Sequence, residues 1–292
     1  MYPLRERAGG RRVHICPAAI RDTVRWWPWE DAENPLQSRH CIFNTIVVRT
    51  FITTLFLLTL THLVAAPSPG VPGPAPLPDF AWTKVAGTAK KIAANGNKIY
   101  IIGTDDYLYQ LNNATKAWQN VGRQVLDVAI DHQGHIWVIQ AGNQIHRQVD
   151  HKWERIDGAA KGVAAGGTKL FVIGGDDMLY ERNYSANSWV RAGRRVKEVA
   201  VDSENRIWTL EGKDFYRYGN GSWTKMDGWG QGIGAGGNLV LAIGENGALY
   251  TRDKNGPGWI KDRDVVQDMA VDGANRIWIV GRDGSIHVNG SL

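Results

Sequence analysis

The chain has 292 residues, a formal net charge of +5 at pH 7, a pI near 9.2 and two cysteines. Residues 79–292 hold 26 Lys and Arg against 24 Asp and Glu, so this part is almost neutral and its charges are well mixed. A nucleic-acid-binding surface would need a basic stripe, and we expect no nucleic-acid partner. Both cysteines precede residue 50, which excludes a thiolate zinc site in the remainder, and we expect no metal and no cofactor.

Residues 1–50 form a basic, irregular segment that contains Cys16, Cys41 and the aromatic cluster Trp26–Trp29. Residues 51–66 (FITTLFLLTLTHLVAA) follow Arg49 and are apolar, ending in small residues. This is the layout of a signal peptide, although such signals normally start at the first methionine. Residues 1–50 are therefore either the product of a wrongly assigned translation start or a short cytoplasmic tail.

The apolar segment 51–66 allows two interpretations. A cleaved signal would release a secreted protein, whereas an uncleaved signal-anchor would tether the protein to a membrane. The segment is shorter than the ~17–25 residues that a spanning helix needs, and it contains a His and several Thr. We favour the cleaved signal; both interpretations leave the following residues outside the cytoplasm. Residues 67–79 are rich in proline and predict an extended linker.

Residues 80–292 are a repeat. Six tryptophans recur at spacings of 36, 35, 36, 34 and 36 residues, and a fixed period of this size is typical of solenoids, propellers and arrays. The six are Trp82, Trp118, Trp153, Trp189, Trp223 and Trp259.

Each repeat contains four short runs separated by Gly, Asn and Asp turns, which predicts strands rather than the longer amphipathic stretches of helical repeats. The second run, for example residues 99–102, is apolar on both faces and should be covered on both. Six four-stranded units predict an all-β, six-bladed β-propeller. The strand at residues 81–85 should complete the last blade by pairing with residues 285–289, which would close the ring and hide its edges.

A second pattern has a period of two repeats. The first run ends in AANG, AAGG or GAGG in units 1, 3 and 5, but in AIDH, AVDS or AVDG in units 2, 4 and 6. Surface features should therefore recur up to three times around the ring.

The pattern W-x-x-(V/I/M)-x-G, (I/V)-A, (I/L)-(W/Y/F)-x-(I/V/L) and (L/I)-Y resembles the tectonin repeat over residues 80–292. Proteins with this repeat include six-bladed lectins of slime moulds, fungi, horseshoe crabs and fish eggs. The resemblance implies a multivalent binder of bacterial, fungal or invertebrate surface glycans, such as lipopolysaccharide or methylated sugars, with a role in innate defence. Tectonin repeats also occur in large intracellular proteins of membrane traffic.

Four N-x-S/T sequons fall in the turn between the third and fourth strands. They are Asn113, Asn183, Asn220 and Asn289. The same residue types are favoured in turns without any glycan, so glycosylation and turn chemistry stay open as alternatives. If glycans cover this face, ligands belong on the opposite one.

The opposite face carries the turns between second and third strands and the loops between blades. Its candidate carbohydrate-binding residues are carboxylates, arginines and one tryptophan, because carboxylate and guanidinium groups pair with sugar hydroxyls and an indole stacks on a pyranose. They are Asp105, Asp106, Arg123, Asp176, Asp177, Arg194, Trp229, Glu245 and Arg263. Solvated turn chemistry explains the acidic residues equally well. Trp229, the least expected residue in a turn, is the strongest candidate.

The repeat tryptophans, together with Trp137, Trp208 and Trp278, are expected to pack in the core between blades. The aromatic or His position of the third strand is also expected in the core, although some of these rings should reach the surface. Near-identical repeats do not provide the singular residues that catalysis needs, and no catalytic motif occurs, so we expect no enzyme. The two functions that remain are a lectin and an extracellular or membrane-tethered protein-interaction scaffold; the sequence does not fix the oligomeric state.

Overall fold

The computed structural model describes residues 81–292, apart from residues 254, 257 and 264. The predicted segments 1–50, 51–66 and 67–79 lie outside the described residues. The described residues are all-β: the strands alternate with tight turns, and one 3₁₀ turn occurs at Ala141–Asn143. No helix in this described part has the length and apolar character to cross a membrane.

The twenty-one strands follow one another in antiparallel pairs. The first eleven are β1 (Trp82–Asn95), β2 (Lys98–Gly103), β3 (Tyr107–Leu111), β4 (Trp118–Gln124), β5 (Asp127–Ile130), β6 (Ile136–Gln140), β7 (Gln144–Val149), β8 (Lys152–Gly166), β9 (Lys169–Gly174), β10 (Met178–Asn183) and β11 (Ser188–Arg195). The others are β12 (Glu198–Val201), β13 (Ile207–Glu211), β14 (Asp214–Gly219), β15 (Ser222–Gly236), β16 (Leu239–Gly244), β17 (Leu249–Asp253), β18 (Ile260–Arg263), β19 (Val266–Val271), β20 (Ile277–Gly281) and β21 (Ser285–Asn289).

Three long strands, β1, β8 and β15, each belong to two repeats. The first half of each long strand pairs with the third strand of one repeat, and the second half pairs with the second strand of the next. The result is three seven-stranded sheets, each spanning two repeats. The two-repeat period of the sequence is therefore a period of the backbone as well.

The four-stranded sets defined by these pairings are called units 1 to 6 below. Unit 1 runs from the second half of β1 to β4, and unit 6 contains β19, β20, β21 and the first half of β1. Trp82 pairs with Asn289 and Val85 with Ile286, so the predicted pairing between the first and last strands of the repeat region is present.

The apolar core lies between consecutive units. It forms six clusters in the described residues, and one of them joins unit 6 to unit 1 through Val280, Ile286 and Ile92. The second strands are covered on both faces as predicted: Ile99, Tyr100 and their neighbours are at most 2% exposed.

Two classes of tryptophan must be distinguished, which corrects the prediction that all of them are core wedges. Trp137, Trp208 and Trp278 are fully buried in units 2, 4 and 6. Their indole N–H groups donate to Asp131 (2.8 Å), Asp202 (3.1 Å) and Asp272 (2.9 Å), the aspartates of the AIDH, AVDS and AVDG runs. The six tryptophans that mark the repeat are only half-buried, because they sit on outer strands at the junctions between units.

The turns segregate to two faces as expected from the strand order. The side chain of Asn113 donates to the carbonyl of Asn97 (2.9 Å), which puts the β3–β4 turn beside the β1–β2 turn. The backbone of Val125 donates to the carbonyl of Asp106 (2.9 Å), which puts the β2–β3 turn beside the loop that follows β4.

One of the four sequons is not accessible. Asn289 is 3% exposed, and its side-chain oxygen accepts a hydrogen bond from the backbone of Ile277 (2.5 Å). Because a buried, hydrogen-bonded amide cannot carry a glycan in the folded protein, the structure corrects the prediction for Asn289. Asn113 and Asn183 are exposed, and Asn220 lies in the exposed β14–β15 turn.

Candidate ligand-binding clefts

One position of the repeat alternates between glycine and arginine around the molecule. It lies five residues after the repeat tryptophan, or four in unit 5, and contacts the repeat tryptophan of the following unit. In chain order it is Gly87, Arg123, Gly158, Arg194, Gly228 and Arg263. Whether a glycine or an arginine stands there decides what covers the neighbouring indole ring.

At three junctions the arginine fills the space over the ring. The guanidinium of Arg123 lies 4.7 Å from the centroid of Trp153, and that of Arg263 lies 5.1 Å from the centroid of Trp82. Arg194 lies 4.6 Å from both Trp223 and Tyr216. These are favourable cation–π distances, so each guanidinium occupies an aromatic slot built by its own chain.

The arginines are also held by polar partners. Arg123 donates to the side-chain oxygen of Gln140 (2.9 Å), and Arg194 donates through two nitrogens to both carboxylate oxygens of Glu211. The prediction that Arg123, Arg194 and Arg263 bind sugar hydroxyls is therefore corrected: stacking commits all three guanidinium groups to the junctions, and hydrogen bonds also hold those of Arg123 and Arg194.

At the other three junctions a glycine stands in place of that arginine, although Arg182 and Arg252, on the third strands, lie 5.1 and 5.3 Å from the ring centroids of Trp189 and Trp259. A Cβ atom would lie 3.1 Å from Trp118 at Gly87, 3.3 Å from Trp189 at Gly158 and 3.2 Å from Trp259 at Gly228. These glycines have φ angles of +100°, +114° and +82°, a left-handed conformation that other residues adopt only with strain. We call the resulting spaces the Trp118, Trp189 and Trp259 clefts.

Each cleft has a second aromatic ring and a polar group opposite the tryptophan. In the Trp118 cleft the hydroxyl of Tyr109 donates to Asp105 (2.7 Å), and in the Trp189 cleft that of Tyr180 donates to Asp176 (2.9 Å). In the Trp259 cleft the ring is Tyr250 and the polar side chain is Asn246, whose amide nitrogen lies 3.5 Å from the Tyr250 hydroxyl.

The tryptophan of each cleft is held by its indole N–H. Trp118, Trp189 and Trp259 donate to the backbone carbonyls of residues 86, 157 and 227, at 2.7, 2.9 and 2.8 Å. Those carbonyls belong to the residues just before the three glycines, so one short bulge both orients the ring and leaves it open. A ring fixed before binding loses little freedom when a ligand stacks on it.

Two of the clefts enclose measurable cavities of similar size. The Trp189 cavity has a volume of about 300 Å³ and the Trp259 cavity about 340 Å³. Cavities of this size, lined by aromatic rings with a few polar groups, are typical of small-molecule sites.

The structure divides the remaining predicted residues into three groups. Asp105 and Asp176 line the open clefts. Trp229 and Glu245 border the Trp259 cavity, with Trp229 64% exposed. Asp106 and Asp177 instead form ion pairs with Lys90 and Lys161 (2.5 Å each), and Asp177 also with Arg195, so they do not face the clefts.

Most of the residues that line the clefts were not among the predicted site residues. The counterpart of Asp105 and Asp176 in unit 5 is Asn246, not Glu245, because it is the third residue of the Gly-x-(Asp/Asn) turn. The tyrosines and the repeat tryptophans of units 1, 3 and 5 were assigned to the core. The signal for them was present in the sequence as the glycine of the alternating Gly/Arg position.

Another cavity, about 660 Å³ in volume, lies where the first strands of the units meet. Three carboxylates of units 2, 4 and 6 tie these strands together by accepting backbone N–H groups of the next unit. Asp127 accepts from residue 163 (2.8 Å), Glu198 from residue 233 (2.9 Å) and Asp268 from residue 92 (2.7 Å). Burial raises the pKa of Glu198 to about 7 and that of Asp268 to about 6.

These carboxylates are committed to the backbone and to one cation. Lys91 donates to Asp127 (2.7 Å), and attraction to Asp127 and Asp268 outweighs the effect of burial and raises the pKa of Lys91. Among the described residues, no group of three or more His, Cys, Asp or Glu side chains is arranged to hold a metal ion. The carboxylates of this cavity therefore serve to hold neighbouring strands together, and the open clefts are the better candidate for ligand binding.

Comparison with protein families finds a tectonin domain at residues 88–213. This range covers the last part of β1 through β13 and includes the Trp118 and Trp189 clefts. No curated protein sequence matches the chain.

Among solved structures, the fold is similar to that of the gluconolactonase XC5397 from Xanthomonas campestris. The TM-score is 0.58 and the identity 9%, over 73% of this chain and 90% of that chain. A streptogramin B lyase is also similar, with a TM-score of 0.50 and 11% identity, over 72% of this chain and 97% of that chain. At such low identity the likeness concerns the fold alone.

Proposed function

We propose, from the match of a tectonin domain to residues 88–213, that residues 80–292 form a six-bladed β-propeller lectin. Six four-stranded units, the pairing of β1 with β21 and the apolar cluster between units 6 and 1 support a ring closed by its first strand. In this arrangement each unit is one blade, and the open clefts lie on one face between blades.

The observation that carries the proposal is the threefold recurrence of one cleft. In each copy a tyrosine hydroxyl lies within 3.5 Å of an amide or carboxylate, and in the Trp189 and Trp259 clefts both groups line one cavity with the indole. A pyranose presents an apolar face and a rim of hydroxyl groups. The rings would stack on the former, and Asp105, Asp176 or Asn246 would accept hydrogen bonds from the latter.

Three similar clefts on one rigid frame favour a repetitive target. Linked sites that are individually weak gain roughly 10²–10⁴ in avidity when the target presents matching groups. Surface glycans of bacteria, fungi or invertebrates are such a target, and we propose a secreted protein that binds them in defence. A membrane-tethered form would follow if the segment 51–66 stays uncleaved.

We propose binding rather than catalysis. A catalytic site needs singular groups with separated roles, whereas the clefts are near-copies whose polar groups serve to orient a ligand. The similarity to a gluconolactonase and a lyase concerns the fold and carries no activity to this chain.

A glycan array tests the proposal. The full chain should bind a restricted set of glycans, from a panel including bacterial and O-methylated sugars, in a saturable manner that free sugar competes. The triple variant D105A/D176A/N246A should lose this binding and stay folded, with a melting temperature lowered only by the loss of the three turn hydrogen bonds. Lys152→Ala, an exposed change on the opposite face, should retain binding. A folded wild-type protein that binds no glycan would refute the lectin.

A protein-interaction scaffold is the second candidate, and Trp229 is the observation that favours it. Its exposed ring is unique to the Trp259 cleft, since the corresponding residues of the other clefts are Thr88 and Ala159. An asymmetric aromatic patch suits a single protein partner. A lectin should use all three clefts, whereas a scaffold should depend on Trp229 alone.

A further inference from the structure

The three open clefts have the same arrangement of glycine, tryptophan and tyrosine but differ in charge. The polar residue opposite the tryptophan is an aspartate in the Trp118 and Trp189 clefts and an asparagine in the Trp259 cleft. All three occupy the same turn position, and each has a side-chain oxygen that accepts a backbone N–H two residues on. The turn therefore needs the oxygen but not the negative charge.

The three junctions that are filled by an arginine show which kind of group binds over the repeat tryptophan. In all three, a guanidinium cation occupies the space over the repeat tryptophan. At Arg194 the cation lies between an indole and a phenol ring and is neutralised by Glu211. At this junction an aromatic pair with a carboxylate at its edge thus holds a cation.

The aspartates of the open clefts stay charged. The hydrogen bond from the Tyr109 hydroxyl lowers the pKa of Asp105, and hydrogen bonds from the Met178 backbone and the Tyr180 hydroxyl lower that of Asp176. Each aspartate therefore keeps its negative charge at neutral pH.

Nearby cations do not cancel both charges. Lys90 forms its ion pair with Asp106, and Lys161 forms its pair with Asp177. Arg191, which pairs with Tyr180 across the strands, does act on Asp176. Its counterpart in unit 1 is the neutral Asn120, but Lys90 acts on Asp105 there, so one cation acts on each of the two aspartates.

We propose that the Trp118 and Trp189 clefts bind sugars through a positively charged amino substituent, whereas the Trp259 cleft selects neutral sugars. This inference rests on the proposed lectin function and names the ligand class of two of its three sites. Stacking is common to all three clefts, and the aspartate adds a charge-assisted hydrogen bond in two of them. We expect a preference of roughly tenfold for the amino sugar over its N-acetyl form in both the Trp118 and the Trp189 cleft.

The test uses three probes on the full chain: methyl 2-amino-2-deoxy-β-D-glucopyranoside, its N-acetyl derivative and ethylguanidinium chloride. Titrations are followed through the indole N–H signals of Trp118, Trp189 and Trp259 in two-dimensional NMR, assigned with Trp→Phe variants. At about pH 6 the amine is charged, since α-amino groups titrate near 7.7–8.0. Sodium chloride at equal ionic strength is the control for unspecific charge effects.

The clefts supply a matched pair of substitutions. Asp176→Asn should abolish the amine preference at Trp189, and Asn246→Asp should create one at Trp259. Both changes keep the oxygen that the turn requires, so neither should alter the melting temperature. A preference that follows the carboxylate from cleft to cleft supports the inference, and one that ignores the exchange overturns it.

The outcomes separate this inference from the proposed function. Equal binding of the amine and its N-acetyl form in every cleft overturns the cation preference and supports the lectin. No response to either sugar, with ethylguanidinium acting at Trp118 and Trp189 only, overturns the amino-sugar ligand and counts against the lectin. Silence toward all three probes overturns the inference in full.

Discussion

Arg194 provides the sharpest test of the difference between a filled junction and an open cleft. Its guanidinium stacks on two rings at 4.6 Å and donates to both oxygens of Glu211. Each stacking contact contributes ~0.5–1 kcal/mol, and the ion pair contributes ~1 kcal/mol, because the two side chains remain 25% and 20% exposed. We expect Arg194→Ala to destabilise the fold by about 2–3 kcal/mol.

The assay is thermal unfolding by calorimetry. For a domain of this size 1 kcal/mol corresponds to ~2–4 °C, so the melting temperature should fall by roughly 4–12 °C. Arg195→Ala is the matched control: the neighbouring side chain is 69% exposed and reaches Asp177 at 3.3 Å, so the change should stay within about 0.5 kcal/mol. Arg194→Lys should recover only part of the loss, since an ammonium neither stacks flat nor binds both oxygens. If the two alanine variants melt together, Arg194 is free to bind ligand and our assignment is wrong.

Four further outcomes follow from the same geometry. Trp208→Ala should cost about 3–5 kcal/mol in urea unfolding, because it empties a fully buried site and leaves Asp202 without its indole donor. Trp229→Ala should change stability by less than about 0.5 kcal/mol, since the ring is 64% exposed, yet weaken binding in calorimetric titration. Arg123→Gly should open a fourth cleft and raise the ligand stoichiometry from three to four. Glu198 binds its proton more tightly when folded, so stability should fall as pH rises from about 4.5 to about 7, and Glu198→Gln should flatten this slope in melting curves.

Much of the fold could be predicted from periodicity alone. The tryptophan spacing and the four apolar runs fix the number and order of strands, because an apolar run bounded by turn residues has few alternatives. The continuity of β1, β8 and β15 across two units was not predicted. It depends on the bulges at Gly87, Gly158 and Gly228, where positive φ lets the strand bend without ending.

The site was harder to predict because it is built across units. Arg123 and Arg194 looked like surface donors in a loop, and only the contact with the next unit shows that the guanidinium is already occupied. Trp118 looked like core because it repeats. A residue that recurs in every unit has the same position in each, but its environment depends on which side chain the preceding unit places over it.

The alternation of glycine and arginine resolves a conflict between stability and binding. A half-buried indole without an arginine over it lacks one stacking contact, so six open clefts would weaken every junction between units. Six arginines would stabilise every junction but leave no ring for a ligand. With arginine at alternate junctions, Arg123, Arg194 and Arg263 stabilise three junctions by stacking, and the glycines leave the other three positions free for a ligand. The open clefts recur every second unit, so a filled junction separates each from the next and fixes the spacing between them. A fixed spacing is what lets weak sites act together on a repetitive surface.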